Sequence, residues 1–201
     1  MPSLAAGLAV AAVLVAAGVR WAAAGDSSPG TAGPSSPAAS STAFPTAPPT
    51  APSGDYRVST DAGGLSVAVP RDWTYRLSGS SHTYQAPDYA SFLEITPVPG
   101  PADPLETARG FSQAVRSVWS GYVETALGPV GDAPDAAVEV EFAHDATDGT
   151  RRRGIYRVFT APDTTVYGAQ VAGPSTDWPR QREIMDTLLS TFYPSGAAPT
   201  P

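Results

Sequence analysis

Apolar and polar residues alternate along several short stretches of the chain, and this alternation predicts β-strands. Leu65, Val67 and Val69, for example, share one face of an extended segment, while the residues between them share the other. Pro70 ends this segment because proline lacks the backbone N–H that a strand ladder needs. The same reasoning predicts seven strands, at residues 56–60, 65–69, 83–86, 91–98, 136–144, 150–160 and 165–171.

Two stretches repeat their apolar residues every three or four positions, as helices packed on a sheet do. Asp103, Pro104 and Glu106 suit the N-cap, N1 and N3 positions of the first helix, and Gly121 suits its C-cap. The second helix is expected to begin at residues 176–177. The stripes contain Leu105, Ala108, Phe111, Val115, Val118, Trp119 and Tyr122, and then Ile184, Met185, Leu188, Leu189 and Phe192. The order of elements predicts an α+β fold, an antiparallel sheet of about six to seven strands with helices packed on it.

One long hairpin is predicted around the sequence DATDG. A three-residue loop pairs Val140 with Val158, and it also pairs Phe142 with Tyr156. An even loop would instead bring a charged residue to the apolar face. We therefore expect an odd loop with Gly149 in the left-handed conformation.

The composition changes along the chain and divides it into four segments. Residues 1–24 contain an uncharged apolar run and are predicted to be a signal peptide or a transmembrane anchor. Apart from one phenylalanine, residues 27–54 are Pro, Ser, Thr, Ala and Gly, so residues 25–54 are expected to be a disordered linker. Residues 55–194 form the predicted α+β domain, and residues 195–201 a disordered tail.

The N-terminal segment leaves two possibilities open. Ala22 and Ala24 fit the small-x-small pattern before a signal cleavage site. Arg20, however, follows the apolar run and no basic residue precedes it, an arrangement that favours a retained anchor. On one interpretation the true N-terminus lies upstream, and residues 1–24 are the remnant of a transmembrane helix. Either possibility implies a domain outside the cytoplasm, at the cell membrane or secreted.

The charged residues exclude several classes of function. The net charge is −7, which disfavours binding to nucleic acid. All twelve basic residues are arginine, so catalysis by a Ser-Lys pair or a lysine Schiff base is excluded. The absence of cysteine excludes disulfides and thiolate metal sites. We expect neither a cofactor nor a metal.

Most candidate chemical groups have a structural explanation. Trp73 is expected to fill the core, with stacking on a ligand as the alternative. Glu139 and Glu141 share a strand face and could form a catalytic carboxylate pair, but an ion pair between Glu141 and Arg157 across the hairpin explains them better. A metal site formed by His144 and two nearby aspartates, Asp145 and Asp148, competes with a simple polar turn.

The most distinctive charged cluster is Arg151, Arg152 and Arg153. Arginines on a hairpin commonly pair with acidic neighbours. Their planar guanidinium groups also suit phosphates and carboxylates. We therefore predict these three residues as contacts to a ligand or partner, either an envelope protein or an anionic cell-wall or lipid component.

The order of elements resembles a known family. The segments GLSVAVPRDW, ADPLETARGFSQAV, AAVEVEF, VYGAQV and IMDTLLSTF resemble the PsbP-like α/β/α sandwich over residues 55–194. This resemblance implies exported proteins such as the LpqN and LpqT lipoproteins of high-GC Gram-positive bacteria, or the extracytoplasmic ends of membrane-anchored proteins, including some serine/threonine kinases. It transfers no catalytic residue.

Together these observations predict a non-catalytic extracytoplasmic binding or protein-interaction module on a flexible stalk. The alternatives are a structural or scaffolding subunit of a membrane complex and an extracytoplasmic hydrolase. A cleft that holds His82 or His144 beside serine and aspartate would favour the hydrolase.

Overall fold

A computed structural model describes residues 44–131 and 137–194. Within these ranges the chain forms nine strands and two α-helices. The elements are β1 Tyr56–Thr60, β2 Ser66–Pro70, β3 Thr74–Ser78, β4 Ser81–Gln85, β5 Phe92–Pro97, α1 Pro104–Val118, β6 Val123–Val130, β7 Ala137–Asp145, β8 Arg151–Thr160, β9 Val166–Pro174 and α2 Arg180–Thr191. The predictions for residues 1–43, 132–136 and 195–201, which include the anchor, most of the linker and the tail, concern residues outside these ranges.

The strands form two antiparallel sheets. β1 and β2 form a two-stranded sheet, and the other seven form a sheet in the order β3-β4-β5-β9-β8-β7-β6. The predicted α+β class is therefore confirmed, although the first two predicted strands form a sheet of their own. Two strands were missed, namely β3 and β6.

The two missed strands lie at opposite edges of the large sheet, and each lacks the expected pattern. Every residue of β3 is exposed, so no apolar alternation marks it. β6 contains Gly128 and Pro129, and a bulge between Glu124 and Ala126 interrupts its register. Such features belong at sheet edges, where they weaken the pattern that identifies a strand.

The helices cover different parts of the large sheet and create two cores. α2 packs on β2, β8 and β9, and the fully buried Met185, Leu188 and Phe192 belong to this core. α1 packs on β6, β7 and β8 over Val140 and Phe142. The predicted apolar stripes are confirmed except at one position, because Val118 of α1 is 59% exposed.

The helix ends follow the predicted chemistry in part. The Asp103 carboxylate accepts a hydrogen bond from the Glu106 amide at 2.8 Å, which confirms the N-cap. The C-cap is Trp119, and Gly121 lies beyond the helix with a φ of +59°. The second helix begins later than predicted, because residues Ser175–Asp177 form a 3₁₀ turn and α2 starts at Arg180.

The loop of the long hairpin has an odd number of residues, as predicted, but the two strands pair in a different register. Residues 146–150, an odd number, separate β7 from β8, and Gly149 has a φ of +82°. Val140 pairs with Tyr156 rather than with Val158, a shift of two residues from the prediction. A two-residue shift keeps every side chain on its predicted face.

Phe44 joins the core from the N-terminal side of β1. Its ring centroid lies 5.5 Å from that of Phe159 and 6.0 Å from that of Phe192. It is the one aromatic residue in the Pro- and Ser-rich stretch, and its apolar side chain docks on the α2 core. No helix among the described residues has the length and apolar character needed to cross a membrane.

Candidate functional site

A cleft of about 510 Å³ opens where β2, the start of β5, the end of β9 and the start of α2 meet. Its floor is built from buried residues, and Trp73 and Ile184 are two of them. Trp73 is 8% exposed and belongs to the core cluster. The predicted core role of Trp73 is therefore confirmed, and one side of the same residue contributes to the cleft.

A buried glutamine forms the polar part of the cleft. Gln181, near the start of α2, is 2% exposed, and its Nε2 donates to the Pro174 carbonyl at 2.9 Å. This bond fixes the orientation of the amide, and the buried Oε1 has no hydrogen-bond partner among the described residues. An unsatisfied buried acceptor costs free energy, so such a group is a candidate for contact with a ligand.

A glycine makes room for this glutamine. A Cβ atom at Gly173 would lie 2.5 Å from the Ser91 Oγ and 2.9 Å from the Gln181 Nε2. Neither contact leaves space for a methyl group. The sequence contains no motif that connects Gly173, Ser91 and Gln181, so none of the three is predicted as a site residue.

Exposed charges surround the opening. Four aspartates and two arginines line the cleft, namely Asp55, Asp72, Asp88, Asp177, Arg71 and Arg180. Both arginines are already engaged. Arg71 donates to the carbonyls of Gly54 and Tyr56, and Arg180 pairs with Glu183 at 2.6 Å. The rim therefore offers mainly carboxylates to a ligand.

The structure does not bring Arg151, Arg152 and Arg153 together on one surface. Successive residues of a strand point to opposite faces, so Arg152 lies on the other face from its neighbours. Each pairs with an acidic residue, in the ion pairs Arg151–Asp145 at 2.9 Å, Arg152–Asp148 at 3.7 Å and Arg153–Glu141 at 3.0 Å. Their contact with a ligand or partner stays a prediction.

Two of these arginines contact segments that form the cleft walls. Arg152 donates to the Ala90 carbonyl at 2.6 Å, and the loop around Ala90 supplies one wall. The Cζ of Arg153 lies 3.7 Å from the ring centroid of Trp178, which adjoins Asp177 of the cleft lining. Both arginines therefore help to position the cleft.

Glu139 and Glu141 lie in a network of arginines beneath α2. Arg157 pairs directly across the hairpin with Glu139, and its Nε donates to Oε2 at 2.8 Å. Arg182 contacts both carboxylates from α2. The predicted cross-strand ion pair is present, but its acidic partner is Glu139 rather than Glu141 because of the two-residue register shift.

Both histidines lie outside the set of residues that line the cleft. The Nδ1 of His82 is 3.0 Å from the Asp61 carboxylate and 3.0 Å from the Tyr75 hydroxyl. His144 stacks on Trp119 with a centroid distance of 4.4 Å, and burial lowers its pKa. In residues 44–131 and 137–194, no three acidic or histidine side chains are grouped as metal ligands.

A second polar group lies on the sheet away from the cleft. Burial raises the pKa of Glu94 on β5, while hydrogen bonds from Ser81 and Thr96 lower it. Burial, together with the charge of Glu94, raises the pKa of Tyr156 to about 12. Gln170 stands opposite both residues in the sheet, and its buried Nε2 has no partner among the described residues.

The raised pKa of Glu94 predicts a pH-dependent stability. The folded protein retains this proton to a higher pH than the unfolded chain, so the contribution of Glu94 is most favourable below pH 4.5, the ordinary carboxyl value. The free energy of unfolding should fall as the pH rises from there through the raised pKa. We expect Glu94→Gln to remove this part of the decline, measured by urea unfolding across the pH range. If the free energy of unfolding falls equally with pH in both proteins, the raised pKa of Glu94 is contradicted.

The fold places the chain among proteins of known structure. It matches cyanobacterial PsbP (CyanoP) from Synechocystis sp. PCC 6803 with a TM-score of 0.54 and 13% identity, over 70% of this chain and 92% of that one. It matches the Ran-binding protein Mog1p of Saccharomyces cerevisiae with a TM-score of 0.51 and 8% identity, over 70% and 96%. LpqN of Mycobacterium tuberculosis, involved in cell envelope biogenesis, matches with a TM-score of 0.43 and 14% identity, over 69% and 91%.

These similarities define the class of protein as a PsbP-like α+β sandwich and confirm the fold resemblance found in the sequence. Residues 57–194, more than half of the chain, match the family described as the serine/threonine kinase C-terminal domain, and the chain belongs to this family. No curated protein sequence matches it.

Proposed function

We propose that this chain is a non-catalytic extracytoplasmic module that binds a partner at the cell envelope through the cleft beside α2. The observation that carries the proposal is the buried Oε1 of Gln181, a residue of the lining of a preformed cleft, which has no hydrogen-bond partner among the described residues. Sites of this volume with a few polar groups are typical of ligand and peptide binding. A family described as a kinase C-terminal domain fits a module that recognises a partner.

The location outside the cytoplasm is part of the proposal and depends on the N-terminal sequence. An uncharged apolar segment followed by a Pro- and Ser-rich stretch suits a domain held away from a membrane. The predicted role of Arg151–Arg153 in contact with an anionic component is a separate proposal, and of the three, Arg151 has the most exposed side chain, at 38%.

Capture of envelope proteins by variants of the cleft tests the proposal. The full chain is immobilised and incubated with a detergent extract of the envelope of the source organism, and bound proteins are quantified by mass spectrometry. Asp72 is exposed at the rim and has no ion pair or hydrogen bond among the described residues, so Asp72→Trp obstructs the opening without disturbing the core. Gln113→Trp introduces the same bulky side chain on the exposed side of α1.

We expect the unmodified chain and Gln113→Trp to retain the same partner, and Asp72→Trp to lose most of it. Equal retention by both variants would contradict a role of the cleft and would favour the scaffolding alternative. Arg151→Gln tests the separate arginine prediction, because loss of capture in this variant alone would assign the contact to the hairpin.

A further inference from the structure

We infer that the cleft binds a positively charged side chain, an arginine or a lysine, presented by an extended segment of the partner protein. The inference rests on the proposed function and adds the chemistry of the ligand. It follows from three features of the cleft, which are a buried acceptor of the lining residue Gln181 that has no partner among the described residues, the carboxylates on its rim and the apolar residues of its lining.

The acceptor requires a donor from the ligand. Because the Nε2 of Gln181 donates to the Pro174 carbonyl, the buried oxygen is the atom of this amide that lacks a partner among the described residues. A ligand carboxylate or phosphate would repel this oxygen, whereas an N–H group would satisfy it. Guanidinium and ammonium groups carry several donors and no acceptor.

The carboxylates on the rim favour a cation. Asp177 is bonded only to the Thr176 hydroxyl, Asp88 only to the Ala90 amide, and Asp72 to no group among the described residues. Every one of them retains lone pairs for a ligand donor. The guanidinium of Arg180 pairs with Glu183, so Arg71, which is bonded to backbone carbonyls, is the cation of the lining that remains to oppose the four rim carboxylates.

The apolar floor suits the stem of a long basic side chain. Trp73, Ala86 and Ile184 are buried residues that form part of the cleft surface. Arginine and lysine pack their methylene stems on such surfaces while their charged ends reach polar groups. The cleft also lies within the range of about 300–1,000 Å³ for sites that enclose more than a single small group, so flanking residues of the partner fit as well.

Short peptides test the inference directly. The full chain, labelled with ¹⁵N, is titrated with acetyl-Ala-Arg-Ala-amide and with the peptide in which neutral citrulline replaces arginine. We expect saturable shifts of the Trp73 indole and Gln181 amide signals with the arginine peptide, and about tenfold weaker binding of the citrulline peptide, because charge-assisted hydrogen bonds are stronger. Added salt should weaken the binding of the arginine peptide.

Three variants provide the controls. Gln181→Met removes the acceptor at similar volume, and Asp72→Asn with Asp177→Asn removes two rim charges from exposed positions that the fold does not need. We expect both changes to weaken binding of the arginine peptide. Glu106 is an exposed residue of α1 outside the cleft, so Glu106→Gln should leave this binding unchanged. The rim variant remains informative if Gln181→Met does not fold.

Several results would overturn the inference, and they differ from failure of the proposed function. Equal binding of the arginine and citrulline peptides, tighter binding of acetyl-Ala-Glu-Ala-amide, or no binding of any peptide would contradict a cation site. If the envelope partner is still lost in Asp72→Trp, the cleft remains the binding site and only the chemistry assigned to its ligand is wrong.

Discussion

Replacing Arg157 with methionine should lower the free energy of unfolding by about 3 kcal/mol, because the change leaves a buried carboxylate without its main partner. Arg157 and Glu139 are 4% and 9% exposed and face each other across β7 and β8. Arg182 also contacts Glu139, which keeps the expected loss at the lower end of the range for such pairs. Urea unfolding monitored by tryptophan fluorescence measures the effect.

Two further variants show whether burial is the cause. Arg109 and Glu106 form an ion pair between exposed side chains on α1, so Arg109→Met should change stability by less than about 0.5 kcal/mol. Removing the buried charges together, in Arg157→Met with Glu139→Leu, should restore part of the loss. A small effect of Arg157→Met would mean that the network is hydrated in solution.

Phe192→Ala should destabilise the domain by about 3–4 kcal/mol, because it opens a cavity between α2 and the sheet. Phe192 is fully buried, and its ring centroid lies 5.0 Å from that of Phe159 and 4.9 Å from that of Tyr167. Phe44 packs on the same ring, so its contact should weaken in this variant. Thermal or urea unfolding gives the magnitude.

Val118, an exposed residue of α1, supplies the control for Phe192→Ala. Val118→Ala removes apolar atoms that are already in water, so its effect should stay within about 0.5 kcal/mol. A loss of stability at Val118 comparable to that at Phe192 would contradict the placement of the two helices.

The sequence predicted those elements whose apolar residues recur at the period of a strand or a helix. Apolar residues alternate along β2 and β7 and form a stripe on α2, although the structure buries every residue of β2 and residues on both faces of β7. β3 was missed because both of its faces are exposed, and β6 because a bulge and a proline interrupt it. The hairpin register differed by two residues because either register leaves Val140 on the apolar face.

The candidate site was much harder to predict, since its residues come from four separate elements. The burial of Trp73 could be inferred from a strand, a proline and a turn that precede it. Nothing in the sequence indicates that Ser91, Gly173 and Gln181 meet, because only the convergence of β5, β9 and α2 brings them together. Arg152 and Arg153 stood out as a charged cluster, yet their role in supporting the cleft walls depends on contacts with Ala90 and Trp178 that are distant in sequence.

Mapping the partner onto the domain by NMR tests the central claim, that the cleft is where this module binds, most directly. The ¹⁵N-labelled full chain is mixed with the protein that it captures from the envelope, and the perturbed signals are assigned. We predict that the largest changes fall on Trp73, Ser91 and Gln181. Changes confined to the exposed edge of β3 or to the hairpin around Arg151, with the cleft signals unmoved, would contradict the account.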